Sequence, residues 1–265
     1  MSLVKYDARM NLQMNVAIAA NYKSASQISR VLTEDWMLKN GYCPSCLSSL
    51  NQSKPNSQVL DFRCLSCKNE FELKGKKRNL GKKVTDGAYS SMISRIDDEN
   101  SPHFYFLSYD EAYKVKNLIA VPNYFFQSSV IEKRKPLPIT AKRAGWIGCN
   151  ILLDQIPDIG KIKMVENSQC IKHDAVQKVW QKTTFLGQQK QAESRGWALD
   201  IMKCIDMLGL KSFSLQQLYQ FESYLSQRHP NNYHVKDKIR QQLQFLRDKG
   251  YLEFERRGFY ALTRG

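Results

Sequence analysis

Two cysteine pairs, Cys43-Pro-Ser-Cys46 and Cys64-Leu-Ser-Cys67, stand seventeen residues apart and constrain this chain more than any other feature. Each C-x2-C turn aims two thiolates at one point, and two such turns complete the tetrahedron that zinc prefers. Four thiolates fill the coordination shell, so the spacing predicts a Zn2+ that folds the chain rather than one that catalyses. A pair of disulfides is the competing reading, disfavoured in a reducing interior. A redox C-x-x-C would not need two copies. Cys149, Cys170 and Cys204 lack partner spacing and read as small buried hydrophobes.

The remaining composition narrows the class. With 265 residues and 42% hydrophobic content, the chain can bury a core in one large domain or two ordinary ones. No stretch approaches the roughly 18 apolar residues of a membrane span. The apolar run Val16 to Ala20 is too short for an export signal, so a soluble, cytoplasmic protein is expected. Forty Lys and Arg stand against 25 Asp and Glu, a net +15. Twelve and seven of these follow residue 194, so +5 lies after it and +10 before it. Basic runs concentrate at Lys74 to Arg78, Lys82-Lys83, Lys133 to Lys135 and Lys142-Arg143. Any one run reads as a solvated loop, but two basic halves suit a protein gripping a long polyanion at two places.

Between and after the cysteine pairs the pattern is that of an α/β core. Ile28, Val31, Leu32 and Trp36 have helical spacing. Val59 to Arg63 and Glu70 to Lys74 read as strands, Asp86 to Ile96 as a helix, and His103 to Tyr109 and Val115 to Val121 as further strands. Period-two alternation puts Glu72 and Lys74 on one face of their strand. If the strand of Asp61 pairs with it, that face carries two carboxylates and an ammonium. Such a set suits phosphodiester hydrolysis: the carboxylates hold Mg2+, and the lysine positions water or stabilises the phosphate. A D…ExK pattern alone is weak, and ordinary solvated strand residues are the plain alternative.

Lys182 to Ser194 is polar and reads as a linker, dividing residues 1–185 from 186–265. Ser194 and Ser214 are candidate N-caps for two helices, the second followed by a break at Pro230. Val235, Ile239, Leu243 and Leu246 mark a third helix that stops at Gly250. Two short strands then flank Arg256-Arg257-Gly258. Three helices and a basic hairpin describe a winged helix-turn-helix. In that arrangement His234, Lys236, Lys238, Arg240 and Gln241 approach base edges in the major groove, and Arg256 and Arg257 meet the backbone or minor groove. A protein-interaction domain is the alternative. His229 reads as a surface or base-contact residue rather than a metal ligand.

Taken together, Leu32-Thr-Glu-Asp-Trp36, Tyr42-Cys-Pro-Ser-Cys46, Phe71-Glu-Leu-Lys74, Asp86-Gly-Ala-Tyr89, Arg143-Ala-Gly-Trp-Ile-Gly-Cys-Asn150, Ile239-Arg-Gln-Gln-Leu243 and Leu246-Arg-Asp-Lys249 make the chain resemble the DpnI family of methylation-directed restriction endonucleases. The resemblance implies a PD-(D/E)XK restriction-endonuclease-like core with an embedded four-Cys zinc site, joined to a C-terminal winged-helix domain. It implies a type II enzyme that cleaves both strands of GATC when the adenine carries an N6-methyl group. Asp61, Glu72 and Lys74 become the catalytic set, with Asp61 and Glu72 on Mg2+, and Cys43, Cys46, Cys64 and Cys67 the zinc ligands. Trp146, beside Lys142 and Arg143, becomes the surface that packs on methylated adenine; without the resemblance it reads as core. Leu60 replaces the proline of the family pattern. No feature reads as a dimer seam, so a monomer is expected. The second reading is a non-catalytic zinc and winged-helix DNA-binding regulator.

Overall fold

The computed structural model describes residues 10–52, 61–96, 98, 101–189 and 191–263. Val59 and Leu60, the start of one expected strand, lie outside them. The expected helix near residue 30 is α1 (Ala25–Asn40), which buries Leu32, Trp36 and Met37 on one face. Strands β1 (Leu50–Gln52), β2 (Phe62–Cys64), β3 (Glu70–Lys77) and β4 (Lys83–Ala88) precede α2 (Tyr89–Ile96). Then come β5 (His103–Tyr109), β6 (Val115–Val121), β7 (Ile131–Lys133), β8 (Gly148–Leu152), β9 (Ile162–Glu166) and β10 (Gln169–Cys170). Helices α3 (His173–Gly187) and α4 (Ala192–Leu208) lead to β11 (Ser212–Ser214), α5 (Leu215–Tyr219), α6 (Glu222–Arg228) and α7 (Val235–Asp248). The last described elements are β12 (Leu252–Arg256) and β13 (Phe259–Leu262). The architecture is mixed α/β with a C-terminal helical domain. No helix among the described residues is long and apolar enough to cross a membrane.

The main sheet runs β1-β2-β3-β5-β6-β9-β10. Its pairings are antiparallel except β3 with β5, which are parallel in the register Glu72↔Phe104 and Lys74↔Phe106. A parallel pair needs a crossover, and α2 lies within this one. Strand β5 is apolar on both faces because both are covered. Tyr105, Leu107 and Tyr109 join the layer that holds α1 and α3, while Phe104 and Phe106 face the layer that includes α2 and α4. Each fully buried Phe on this strand contributes about 1.5–3 kcal/mol. Two three-stranded sheets, β4-β8-β7 and β11-β13-β12, accompany the main one.

Four expectations change. Asp86 to Ile96 is not one helix: Lys83–Ala88 is a strand, with a bulge between Asp86 and Ala88 where it pairs with β8. The expected linker is mostly helix, because Thr183, Phe185 and Leu186 bury one side of α3, which runs through the boundary drawn at residue 185. Ser194 lies inside α4 rather than at its cap, which is Gln191. The helix begun at Ser214 is interrupted, ending at Tyr219 and resuming at Glu222. Ser214 itself caps as expected: its hydroxyl accepts from Gln217 N, and the Gln217 side chain accepts from Ser214 N.

Candidate functional site

The two cysteine turns are built alike. Cys43 N donates to Ser48 O and Cys64 N to Asn69 O, five residues on in each case. Leu47 and Lys68, each directly after the second cysteine of its pair, take left-handed φ values of 63° and 64°. These turns bring all four sulfurs within 4.8 Å of one another, with Cys43–Cys67 at 3.5 Å and Cys46–Cys64 at 3.4 Å. A zinc tetrahedron with bonds near 2.3 Å has sulfur–sulfur edges of about 3.8 Å. The four free thiols fit a zinc ion. Buried Tyr105 anchors the first turn by donating to Tyr42 O, and Gln177 on α3 donates to Ser45 O. Cys149, Cys170 and Cys204 are buried, in keeping with their reading as small hydrophobes.

The second cysteine turn is also the bend of the β2–β3 hairpin, and this is what assembles the acidic residues. The register Phe62↔Phe71 places Asp61 across from Glu72. Asp61 N donates to Phe71 O, and Asp61 Oδ2 accepts from Leu73 N at 2.6 Å. On β3, Phe71 and Leu73 pack into the α1 layer, which leaves Glu72 and Lys74 on the other face. Lys74 Nζ donates to Glu72 Oε1 at 2.5 Å and to Asp86 Oδ1 on β4. Arg95 of α2 donates to Glu72 Oε2 at 3.2 Å. A cleft of about 260 Å³ opens alongside, lined by Arg30, Thr33 and Glu34 of α1, Leu73 to Gly75, and Val84 and Thr85 of β4.

Burial dominates the electrostatics of this acidic centre. Burial pushes Asp61 above the usual carboxylate range although Leu73 N–H and Lys74 oppose it. Burial raises Glu72 likewise, against the pull of Lys74. Burial alone would lower Lys74, but Glu72 and Asp86 outweigh it and hold the ammonium above the ordinary lysine value. Glu72 pairs with Lys74 and Arg95, Asp86 pairs with Lys74, and Asp61 feels Lys74 and Arg30 without a direct pair among the described residues. Carboxylate oxygens are donors of the kind that a hard divalent cation takes. Asp86 and Arg95 were not singled out from sequence. Asp86 sat at the expected start of a helix, where aspartate is an ordinary cap.

Trp146 lies in a basic loop between β7 and β8. Leu137 N donates to Trp146 O and Arg134 N to Gly148 O, so the loop is a braced hairpin. The indole is half-buried, packs over Gly148 and carries the Arg143 guanidinium 4.7 Å from its ring centroid. Lys142 and Arg143 are exposed, and Ile139 near the tip is 92% exposed. Strand β8 pairs with β4 as Asp86↔Cys149, so the loop shares its small sheet with one member of the acidic centre, Asp86.

In the C-terminal domain, α7 buries Val235, Ile239, Leu243 and Leu246 and exposes His234, Lys236, Arg240 and Gln241 around its first turns. Lys238 is half-buried. Arg240 donates to Tyr219 Oη at 2.8 Å, and Lys236 pairs with Glu222 at 3.2 Å, so both cations are oriented by the preceding helices. Arg256 and Arg257 are exposed at the hairpin, the first stacked 4.1 Å from Phe259. His229 is not a surface residue. It stacks on Trp197 at 3.8 Å and pairs with buried Asp200, which also binds Arg228 and Gln127. The family model described as DpnI, the Dam-replacing family, matches residues 10–189. A second, the Dam-replacing HTH domain, matches residues 193–261.

Proposed function

Since the chain belongs to the DpnI (Dam-replacing) family, we propose that it is a Mg2+-dependent type II restriction endonuclease that cleaves double-stranded DNA at GATC carrying N6-methyladenine. The observation that carries this reading is the β2–β3 hairpin, which sets Asp61, Glu72 and Lys74 together beside a crossover helix. The parallel β3–β5 pair with α2 in its connection supports a PD-(D/E)XK core.

Asp61 and Glu72 are the residues that would hold Mg2+. When bound there, the ion supplies charge neutralisation at the scissile phosphate and a more acidic water. Lys74, held by Glu72 and Asp86 on the same face as Glu72, acts toward the phosphate or the attacking water. The zinc-bound turn holds the hairpin register on which the Asp61–Glu72 pairing depends. Trp146 offers its indole face to the adenine methyl group, and Lys142 and Arg143 hold the neighbouring phosphates. One methyl in an apolar contact is worth about 1–3 kcal/mol, so two methyls read separately multiply the discrimination. His234, Lys236, Lys238, Arg240 and Gln241 on α7 read the groove, and Arg256 and Arg257 at a wing hold the backbone. We assign the nuclease and the Trp146 methyl contact to the residues up to the end of α3, and groove reading to those from α4 on, the whole acting as a monomer in the cytoplasm.

The test is incubation of the purified protein, with Mg2+, with plasmid from an adenine-methylating host and from a host lacking that methylation. Fragments from the methylated plasmid alone are expected. Binding without cutting of either would overturn the nuclease reading in favour of a DNA-binding regulator.

A further inference from the structure

Lys74 has two carboxylate partners, and only one belongs to the D…ExK pattern. The second, Asp86, comes from a different sheet, and its side chain is 4% exposed. Lys74 is the one ion-pair partner of Asp86 among the described residues. Its strand bulges at that point, between Asp86 and Ala88, in the pairing with β8. An irregular backbone that presents one buried carboxylate to one half-buried ammonium re-aims a side chain, which is what bulges beside reactive centres accomplish.

A lysine side chain has four rotatable bonds, and their freedom is lost when its ammonium is fixed. On β3 alone, Glu72 gives it a single tether two residues away. That tether is compromised once Glu72 turns its oxygens to a cation. Asp86 is a tether from outside the motif, so it holds the Nζ in place whatever Glu72 does. We propose that Asp86 is the positioning residue of the reactive centre, aiming the Lys74 ammonium at the scissile phosphate. The inference rests on the nuclease reading given above. It also gives β4 a purpose: the small sheet that carries the Trp146 loop at β8 delivers the tether for the reactive lysine at β4.

The experiment measures single-turnover cleavage of a methylated GATC duplex by the parent, D86N, D86E, K74M and the K74M/D86N double variant. Thermal melting, DNA affinity and Mg2+ titration accompany each. Misplacing a reacting group by about 1 Å costs on the order of a hundredfold, so D86N should lose about that factor in rate. Its DNA affinity and half-maximal Mg2+ concentration should match the parent; its melting temperature should fall, because a buried ion pair is broken, with the protein still folded at the assay temperature. D86E should recover much of the rate, and D86N should add nothing to the loss in K74M. A parental rate in D86N overturns the inference. So does a higher Mg2+ requirement in D86N, which would make Asp86 a metal ligand, or a D86N loss that adds to that of K74M. If K74M has no measurable rate, the D86N rate, its D86E rescue and the Mg2+ titration decide. Absence of cutting by the parent would instead defeat the nuclease reading itself.

Discussion

Gly148 supplies the sharpest perturbation of methyl reading, because it changes the platform beneath Trp146 without touching the indole. A Cβ at this position would stand 2.8 Å from both Cζ3 and Cη2 of Trp146. Ordinary carbon–carbon contact is about 3.5–4.0 Å, so the ring must retreat by roughly 0.7 Å or more. The loop cannot follow as a body, since Arg134 N–Gly148 O and Leu137 N–Trp146 O bonds brace it. The ring must therefore tilt, carrying the Arg143 guanidinium with it. Gly148 has no left-handed φ, so alanine fits the strand backbone, and the fold should hold. If the indole face gives about 1–3 kcal/mol per methyl, Gly148→Ala should lower kcat/KM on methylated DNA about 10–100-fold. The rate on unmethylated DNA should scarcely change. The assay is competitive cleavage of two labelled duplexes differing only in adenine methylation. An unchanged methylated-to-unmethylated ratio would refute the assignment of Trp146.

Other expectations are equally direct. Cys64 closes the β2–β3 hairpin, and structural zinc contributes about 10–16 kcal/mol in small domains, comparable to a whole folding free energy. Cys64→Ser should lose the metal and the cutting activity together; activity in zinc-free protein would contradict the coupling. Asp200→Asn leaves Arg228 half-buried without its partner carboxylate, a loss of about 3–5 kcal/mol and so about 10 °C in melting temperature. Although Asp200 is buried, its bonds to His229 and Arg228 hold its carboxyl below the usual range. Its stabilisation is therefore complete above the ordinary aspartate pKa and fades as pH falls through the lowered value, so the variant should show a shallower acid loss. Equal acid profiles would argue against the network. Replacing Arg256 and Arg257 together with alanine should reduce the log–log salt slope of DNA binding by about 1.8, at about 0.9 per phosphate contact. An unchanged slope would remove the hairpin from the interface.

What could be read from sequence was what a short period encodes. Two-residue alternation aligned Glu72 with Lys74, and the C-x2-C turns identified the four thiols that meet. Asp86 escaped because Asp-Gly before an amphipathic run looks like a helix cap, whereas its pairing with Cys149 is set sixty-three residues away. The stretch at Lys182 looked like a linker because its polar residues hid that Thr183, Phe185 and Leu186 share a buried side. The interruption after Tyr219 left the apolar spacing intact, so nothing in the pattern marked it. His229 looked exposed because its partners, Asp200 and Trp197, lie on another helix. At Asp86 and His229 a long-range pairing overrides the local pattern.

The most direct measurement of the central claim compares the parent and Glu72→Ala on one methylated GATC duplex, with single-turnover cleavage and DNA binding followed side by side. The account predicts that the variant binds the duplex like the parent, keeps its zinc, and cuts about a hundredfold to a thousandfold more slowly, on the order of what an electrostatic catalytic group contributes. Cleavage by Glu72→Ala at the parental rate would contradict it.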